Sequence, residues 1–206
     1  MANFVLPNSG HNFDAEGSKL GMWLFLFTEI LLFGGLFIVY FVYRSINGEA
    51  FLQASYELNV TLGTINTVIL ITSSMTVAMS ITALQKGNEK FAINLLWITL
   101  LFAIAFLVNK YFEWSVKIDH GIFPGMEHYN ELVSGEKLYF FLYYFMTGLH
   151  ALHIIVGAVF IGFVIKGIQE GKVHAKRISL LENSGLYWHL VDLIWIYLFP
   201  LFYLIH

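Results

Sequence analysis

Residues Leu138–Ile165 read LYFFLYYFMTGLHALHIIVGAVFIGFVI, 28 residues without one Asp, Glu, Lys or Arg. The hydrocarbon core of a bilayer is about 30 Å thick, and a helix crosses it in roughly 20 apolar residues. The stretch therefore reads as a transmembrane helix, long enough to tilt or to extend past the bilayer. The strands of a membrane barrel would alternate at every second residue, and this run does not. Its aromatic start, YFFLYYF, suits a membrane interface. His150 and His153 stand in its middle at i and i+3, roughly on one face.

Outward from it, four more segments share this character: Leu20–Tyr43, Leu62–Leu84, Phe91–Phe112 and Gly185–Ile205. The 206-residue chain is only 12% charged, against about 25% in a soluble domain. Too little polar surface remains to clothe a globule. The expected fold class is all-α, a polytopic membrane bundle of five transmembrane helices. Residues 1–19 form an N-terminal cytoplasmic tail, and 20–206 the transmembrane domain. The turn Gln85–Lys90 is short, so the second and third spans are expected to be antiparallel neighbours. Glu113–Lys137, with Gly121, Pro124 and Gly125, is the longest loop. No internal repeat is visible, which argues against the inverted-repeat design common in transporters.

A net charge of −3 offers no broad basic face to nucleic acid. The absence of cysteine excludes disulfides, thiolate metal sites and iron–sulfur clusters. The opening MANFVLPNSGHNFDAEGSK lacks the basic flank and short apolar core of a secretory signal. The first apolar segment is therefore expected to stay as a span. Cations orient the chain. Lys19, Lys86, Lys90, Lys166, Lys172, Lys176 and Arg177 fall on the side of the N-terminus. Arg44, Lys110, Lys117 and Lys137 fall on the other. The N-terminus is accordingly expected in the cytoplasm.

Polar side chains at mid-bilayer are costly, roughly 2.5–3.5 kcal/mol on insertion scales, so each needs a reason. Those inside the spans are Glu29, His150 and His153, and His189 and Asp192 in YWHLVDLIW. Lys110 and Glu113 in KYFEW lie at the outer end of the third span, and the second carries Asn66, Thr67 and Thr72–Ser74. At 1.5 Å per residue, His189 lies about 6 Å from the cytoplasmic side, Asp192 about 10, Glu29 about 14, His153 about 18 and His150 about 22. A haem between two helices needs histidines at matching depth, and His189 misses His153 by about 12 Å. Zinc at His150 and His153 would need Glu29 as a further ligand. The plainer reading is interhelical hydrogen bonding, with Glu29 accepting from one of the two histidines. Gly148 and Gly157 would let a neighbouring helix come close. A proton path or transporter site at Glu29 is the remaining reading, since a desolvated carboxylate holds its proton more tightly.

GMWLFLFTEILLFGGLF, KYFEW, TGLHALHIIVG and YWHLVDLIWIYLFP together resemble subunit III of the haem–copper terminal oxidases, in order from Gly21 to Pro200. The family's motif glutamate falls on Glu29, and its lysine, glutamate and aromatic segment on Lys110, Glu113 and Trp114. Its two histidines fall on His150 and His153, the glutamate before its last helix on Glu182, and its final motif on Tyr187, Trp188, His189 and Asp192. The resemblance implies a non-catalytic subunit of a proton-pumping oxidase in a bacterial cytoplasmic (inner) membrane. Such a chain binds no redox metal; haem and copper belong to its partners. It packs on subunit I, and indirectly on subunit II, with a small subunit IV or a supercomplex as further partners. It binds phospholipid and sustains proton uptake. Cytochrome c oxidases, quinol oxidases and proteins associated with nitric oxide reductases all carry this five-helix form. Longer members have two further helices at the start, so the lipid cleft here is expected to be open or closed by another subunit. Asn66, Lys110, Glu113, Trp114, Glu182, Trp188, His189 and Asp192 are expected in helix packing or lipid and subunit contact. His150 and His153 are expected to brace the bundle against Glu29 and to bind no metal.

Overall fold

Asparagines open two of the helices. The Asn59 side chain accepts from the Leu62 amide and that of Asn88 from the Phe91 amide, each at 3.2 Å, satisfying donors that a helix start leaves unpaired. Between them Gly87, at φ +78°, lets the chain reverse, a conformation that a Cβ would strain. The computed structural model describes residues 10–205, with side chains from Gly17 onward except that of Glu127. Its elements are α1 (Gly10–Ile46), α2 (Gly48–Ser55), α3 (Val60–Gln85), α4 (Glu89–Asp119), α5 (Glu127–Glu131), α6 (Ser134–Gln169) and α7 (Ser179–Tyr203). Five of these, α1, α3, α4, α6 and α7, are long and apolar enough to cross a membrane.

The helices outrun the apolar segments. Residues 10–19 of the expected tail already belong to α1, while 1–9 lie outside the described residues. The most informative difference is in α4, which continues past Phe112 to Asp119. Its buried face runs Ala92, Leu96, Thr99, Ala103, Phe106, Lys110, Glu113, Lys117. That is one stripe at alternating steps of three and four, the spacing of a helix packed along one seam. The charged residues continue the core stripe, so the helix goes on where the apolar run ends. The loop expected over 113–137 shrinks accordingly and contains α5.

α3 meets α4 in the most extensive helix pair of the molecule, as the short turn predicts. Its buried face, with Gly63, Ser73 and Ser80, is narrow, which lets two backbones come close. α6 and α7 close a four-helix bundle with them, α7 against α3 and α6 against α4. α2 lies on α6. α1 stands outside, packed on α7 and more lightly on α6 and α2. Its contact is a single stripe of Leu26, Phe33 and Tyr40, while Leu20, Trp23, Leu24, Phe27 and Leu31 face outward. α7 is the hub. The side chains of its neighbours cap its end: Tyr40 donates to the Leu201 carbonyl, Tyr139 to that of Phe202 at 2.7 Å, and Ser55 to that of Ile205 at 3.1 Å. A helix end leaves these carbonyls without partners of its own.

The YFFLYYF start of α6 departs from the expected interface belt. Tyr139, Phe140 and Tyr143 are fully enclosed by the protein, and only Phe141 and Phe145 face outward. The tyrosines point inward because carbonyls and charges on α4 and α7 need their hydroxyls.

α6 approaches α7 closely at Gly157, where an added Cβ would lie 2.9 Å from Trp188. Gly157→Leu is expected to destabilise the chain by about 1–3 kcal/mol in equilibrium unfolding from mixed micelles. Gly162→Leu, one turn on and facing open space, is expected to leave the midpoint unchanged.

Candidate functional site

The α4 stripe delivers Lys110 and Glu113 into the space between α4, α6 and α7. Their side chains are 3% and 2% exposed and 3.1 Å apart. Two unpaired charges there would be prohibitive, and the local geometry removes the difficulty. The Lys110 ammonium donates to Glu113 Oε2 at 3.1 Å, to the Tyr203 hydroxyl at 2.6 Å and to the Tyr143 hydroxyl at 3.3 Å. All three of its protons are used. Both hydroxyls donate in turn to Glu113 Oε1, from Tyr203 at 2.6 Å and from Tyr143 at 2.7 Å. The rings of Tyr143 and Trp195 lie 5.0 Å from the ammonium, within range of a cation–π attraction. The network is closed and ties three helices together. One further turn along α4, Lys117 donates to the Glu57 carbonyl at 2.7 Å.

Glu29 and His153 join α1 to α6. His153 Nε2 lies 2.8 Å from Glu29 Oε2, and Nδ1 lies 2.7 Å from the Leu149 carbonyl. A carbonyl only accepts, so Nδ1 carries a proton. The Nε2–Oε2 contact needs one more, held either as imidazolium and carboxylate or as imidazole and carboxylic acid. The pair is therefore neutral overall and suited to its partly enclosed place, with side chains 12% and 14% exposed. Tyr187 donates to the His153 carbonyl at 3.2 Å from the other side.

His150 does not share this partner. It is wholly buried against Phe106 and Trp195, with ring centroids at 5.6 and 5.3 Å, and neither ring nitrogen finds a hydrogen bond among the described residues. The i, i+3 spacing leaves enough angular offset that His153 turns to α1 while His150 turns into the bundle. Bracing by Glu29 thus belongs to His153, and His150 acts by packing. His189 goes to a third place, bonded through Nδ1 to Ser74 Oγ at 2.6 Å. Among the described residues, no three His, Cys, Asp or Glu side chains converge.

The remaining sequence candidates serve the seams between helices. Asn66 accepts from Asn109 at 3.1 Å across α3 and α4. Trp188 donates to Ser73 at 3.0 Å across α7 and α3. Trp114 stacks edge-on with Tyr144 beside Gly148. Glu182 lies in the first turn of α7 and pairs with Lys19 at 3.3 Å. Asp192 is 3% exposed on α7. Tyr143, Tyr203, Asn109 and Trp195, which donates to Thr67 at 3.0 Å, are the partners that sequence reasoning missed. The signal for Tyr143 and Tyr203 was available. If Lys110 and Glu113 lie on the α4 core stripe, hydroxyl donors must meet them from neighbouring helices.

The Lys110–Glu113 network and the Glu29–His153 pair hold helices together. The fold is that of a multi-pass membrane protein with five spans. A family model described as Cytochrome c oxidase subunit III matches residues 8–206. The chain belongs to that family. It is 30% identical to "Cytochrome c oxidase subunit 3" of Thermostichus vulcanus, covering 90% of this chain and 86% of that protein. With the protein of the same name from Synechocystis sp. it shares 31% over 95% of this chain and 79% of the other. It is also 30% identical to "Heme-copper oxidase subunit I+III" of Aeropyrum pernix, over 94% of this chain but only 23% of that longer protein. The bacterial relatives and the five spans place it as a multi-pass protein of a bacterial inner membrane.

Because the Lys110–Glu113 charges neutralise each other, removing one leaves the other buried and unpaired. Lys110→Met and Glu113→Leu singly are each expected to cost about 3–5 kcal/mol, and the double substitution less than the sum. Equilibrium unfolding in micelles reads this. Additive costs would mean that the charges do not act as a pair. At the other pair, Glu29→Gln keeps a donor for Nε2 and is expected to be mild, while Glu29→Leu is expected to cost about 1–3 kcal/mol by orphaning the imidazole.

Proposed function

We propose that the chain is the non-catalytic third subunit of a bacterial haem–copper terminal oxidase, most simply one that oxidises cytochrome c. Haem and copper reside in its partners. The chain packs on subunit I, holds phospholipid against it and supports its uptake of protons. The observation that carries this reading is the family match over almost the whole chain, joined to the existence of a relative named as subunit I+III. In that relative the segment similar to this chain lies in one longer polypeptide whose name includes subunit I. The polar groups support a bracing role, since each strongly charged pair inside the bundle is closed on itself.

The N-terminus lies in the cytoplasm on this reading. The structure adds weight to the count of cations. Lys110 and Lys117, two of the four outer cations, are buried in α4 and bonded within the protein. They are not loop charges, so Arg44 and Lys137 face the outer side against seven cations on the inner side. The residues expected at lipid or subunit contacts act here through the same seams. Glu182 with Lys19 ties α7 to α1 at the cytoplasmic end, and Asn66, Trp114 and Trp188 set the spacing of the helices beneath any lipid.

Purification of the tagged chain from its native membrane in mild detergent tests the proposal. A large haem-bearing oxidase subunit is expected to accompany it, with haem bands in the reduced-minus-oxidised spectrum. A chain that purifies alone, colourless and active in proton-coupled transport in liposomes, would overturn it.

A further inference from the structure

A trough of about 570 Å³ runs along the outer side of α3 where the chain turns back into α4. Met75, Ala78 and Met79 of α3 and Phe91 of α4 line it, and Lys86 and Asn88 of the connecting turn stand at one end.

Polarity is graded along the trough. The turn joins two membrane-spanning helices, so its residues lie at a membrane surface, whichever side that is. From there inward the walls are apolar. Thr82, which also lines the trough, spends its hydroxyl on the Ala78 carbonyl at 3.3 Å. The Lys86 ammonium makes no ion pair and no hydrogen bond among the described residues. Asn88 Oδ1 accepts from the Phe91 amide at 3.2 Å, which leaves the Nδ2 protons to donate elsewhere. Both polar side chains at the surface end are therefore donors, and one is a cation. Their complement is an anion with several acceptor oxygens. Glu89, the carboxylate in the first turn of α4, does not line the trough. The ammonium of a zwitterionic headgroup thus finds no counter-charge there, and a headgroup of net negative charge is favoured.

Length narrows the occupant further. From Lys86 to Met75 the trough follows about 16 Å of helix, one leaflet of a hydrocarbon core about 30 Å thick. The transmembrane helix of a partner crosses both leaflets. A molecule that carries an anion at the headgroup level and hydrocarbon through a single leaflet matches charge and length together.

We propose that the trough between α3 and α4 holds one anionic phospholipid, with its phosphate on Lys86 and Asn88 and an acyl chain along Ala78 and Met79 toward Met75. This rests on the reading of the chain as a membrane subunit that holds phospholipid, and it names a place and a headgroup charge. It uses none of the residues that the sequence marks for lipid contact. Native mass spectrometry tests it, on the tagged chain in its complex, stripped of lipid and titrated with phosphatidylglycerol or with phosphatidylcholine of the same acyl chains. Phosphatidylglycerol is expected to bind more tightly. Lys86→Gln is expected to weaken it about 3- to 10-fold and to leave phosphatidylcholine unchanged. Lys90 is also exposed at the start of α4 but does not line the trough, so Lys90→Gln is expected to change binding less than about 2-fold. Ala78 faces outward, and Ala78→Phe is expected to fill the trough, spare the bundle and weaken both lipids. Equal losses from the two lysine variants would mean a diffuse surface charge and overturn the site. Unchanged binding in Ala78→Phe would overturn it too. So would a photoreactive benzophenone amino acid at Met79 that captures a peptide of another subunit instead of lipid. If no oxidase subunit accompanies the tagged chain, the subunit reading falls, and the comparison of the two lysines still decides the lipid site.

Discussion

Lys110 and Glu113 lie in an interior that would expel either of them alone. Burial of an ion pair gives stability only when every remaining donor and acceptor is also satisfied. Here two tyrosine hydroxyls from two other helices complete the set, each accepting from the ammonium and donating to the carboxylate. The consequence is geometric. Tyr143 fixes α6 against α4, and Tyr203 fixes the end of α7 against both. Neither helix can slide or rotate without exposing a charge to a medium that cannot solvate it. Apolar packing in a membrane has no such selectivity, since lipid tails are as apolar as leucine.

From that fixed point the rest of the bundle follows. The end of α7 is held next to Tyr203 by hydroxyls from α1, α6 and α2. Along its length, Trp188 and Trp195 use their indole N–H groups on Ser73 and Thr67 of α3. α7 is thereby bonded on nearly every side, which accounts for its being the most enclosed of the five spans. α1 is the contrast. One apolar stripe, the Glu29–His153 pair, the Tyr40 hydroxyl and polar contacts of Ser18 and Lys19 with the start of α7 hold it, and most of its surface faces outward. Such a helix is well suited to lie between a rigid bundle and a lipid or protein neighbour.

This division sets a tightly bonded bundle beside one lightly held helix. In this chain the three transmembrane histidines diverge to Glu29, to an aromatic box and to Ser74.

The sequence by itself determined the number of spans, the all-helical class and the family. Each of these depends on local quantities: the length of an apolar run, the absence of charge within it, and the order of short motifs. It also singled out Glu29, Lys110, Glu113 and His153, because a charge or an imidazole in an apolar run is conspicuous. It did not reveal their partners. Tyr143 and Tyr203 look like interface aromatics until α6 and α7 are placed around α4, and Asn109 is unremarkable until it meets Asn66. Nor did it separate His150 from His153, since a spacing of three residues brings two side chains to one face without choosing which neighbour each will touch. Those choices belong to the tertiary structure. They depend on which helices lie side by side and at what rotation, and that is set jointly by buried groups far apart in the chain.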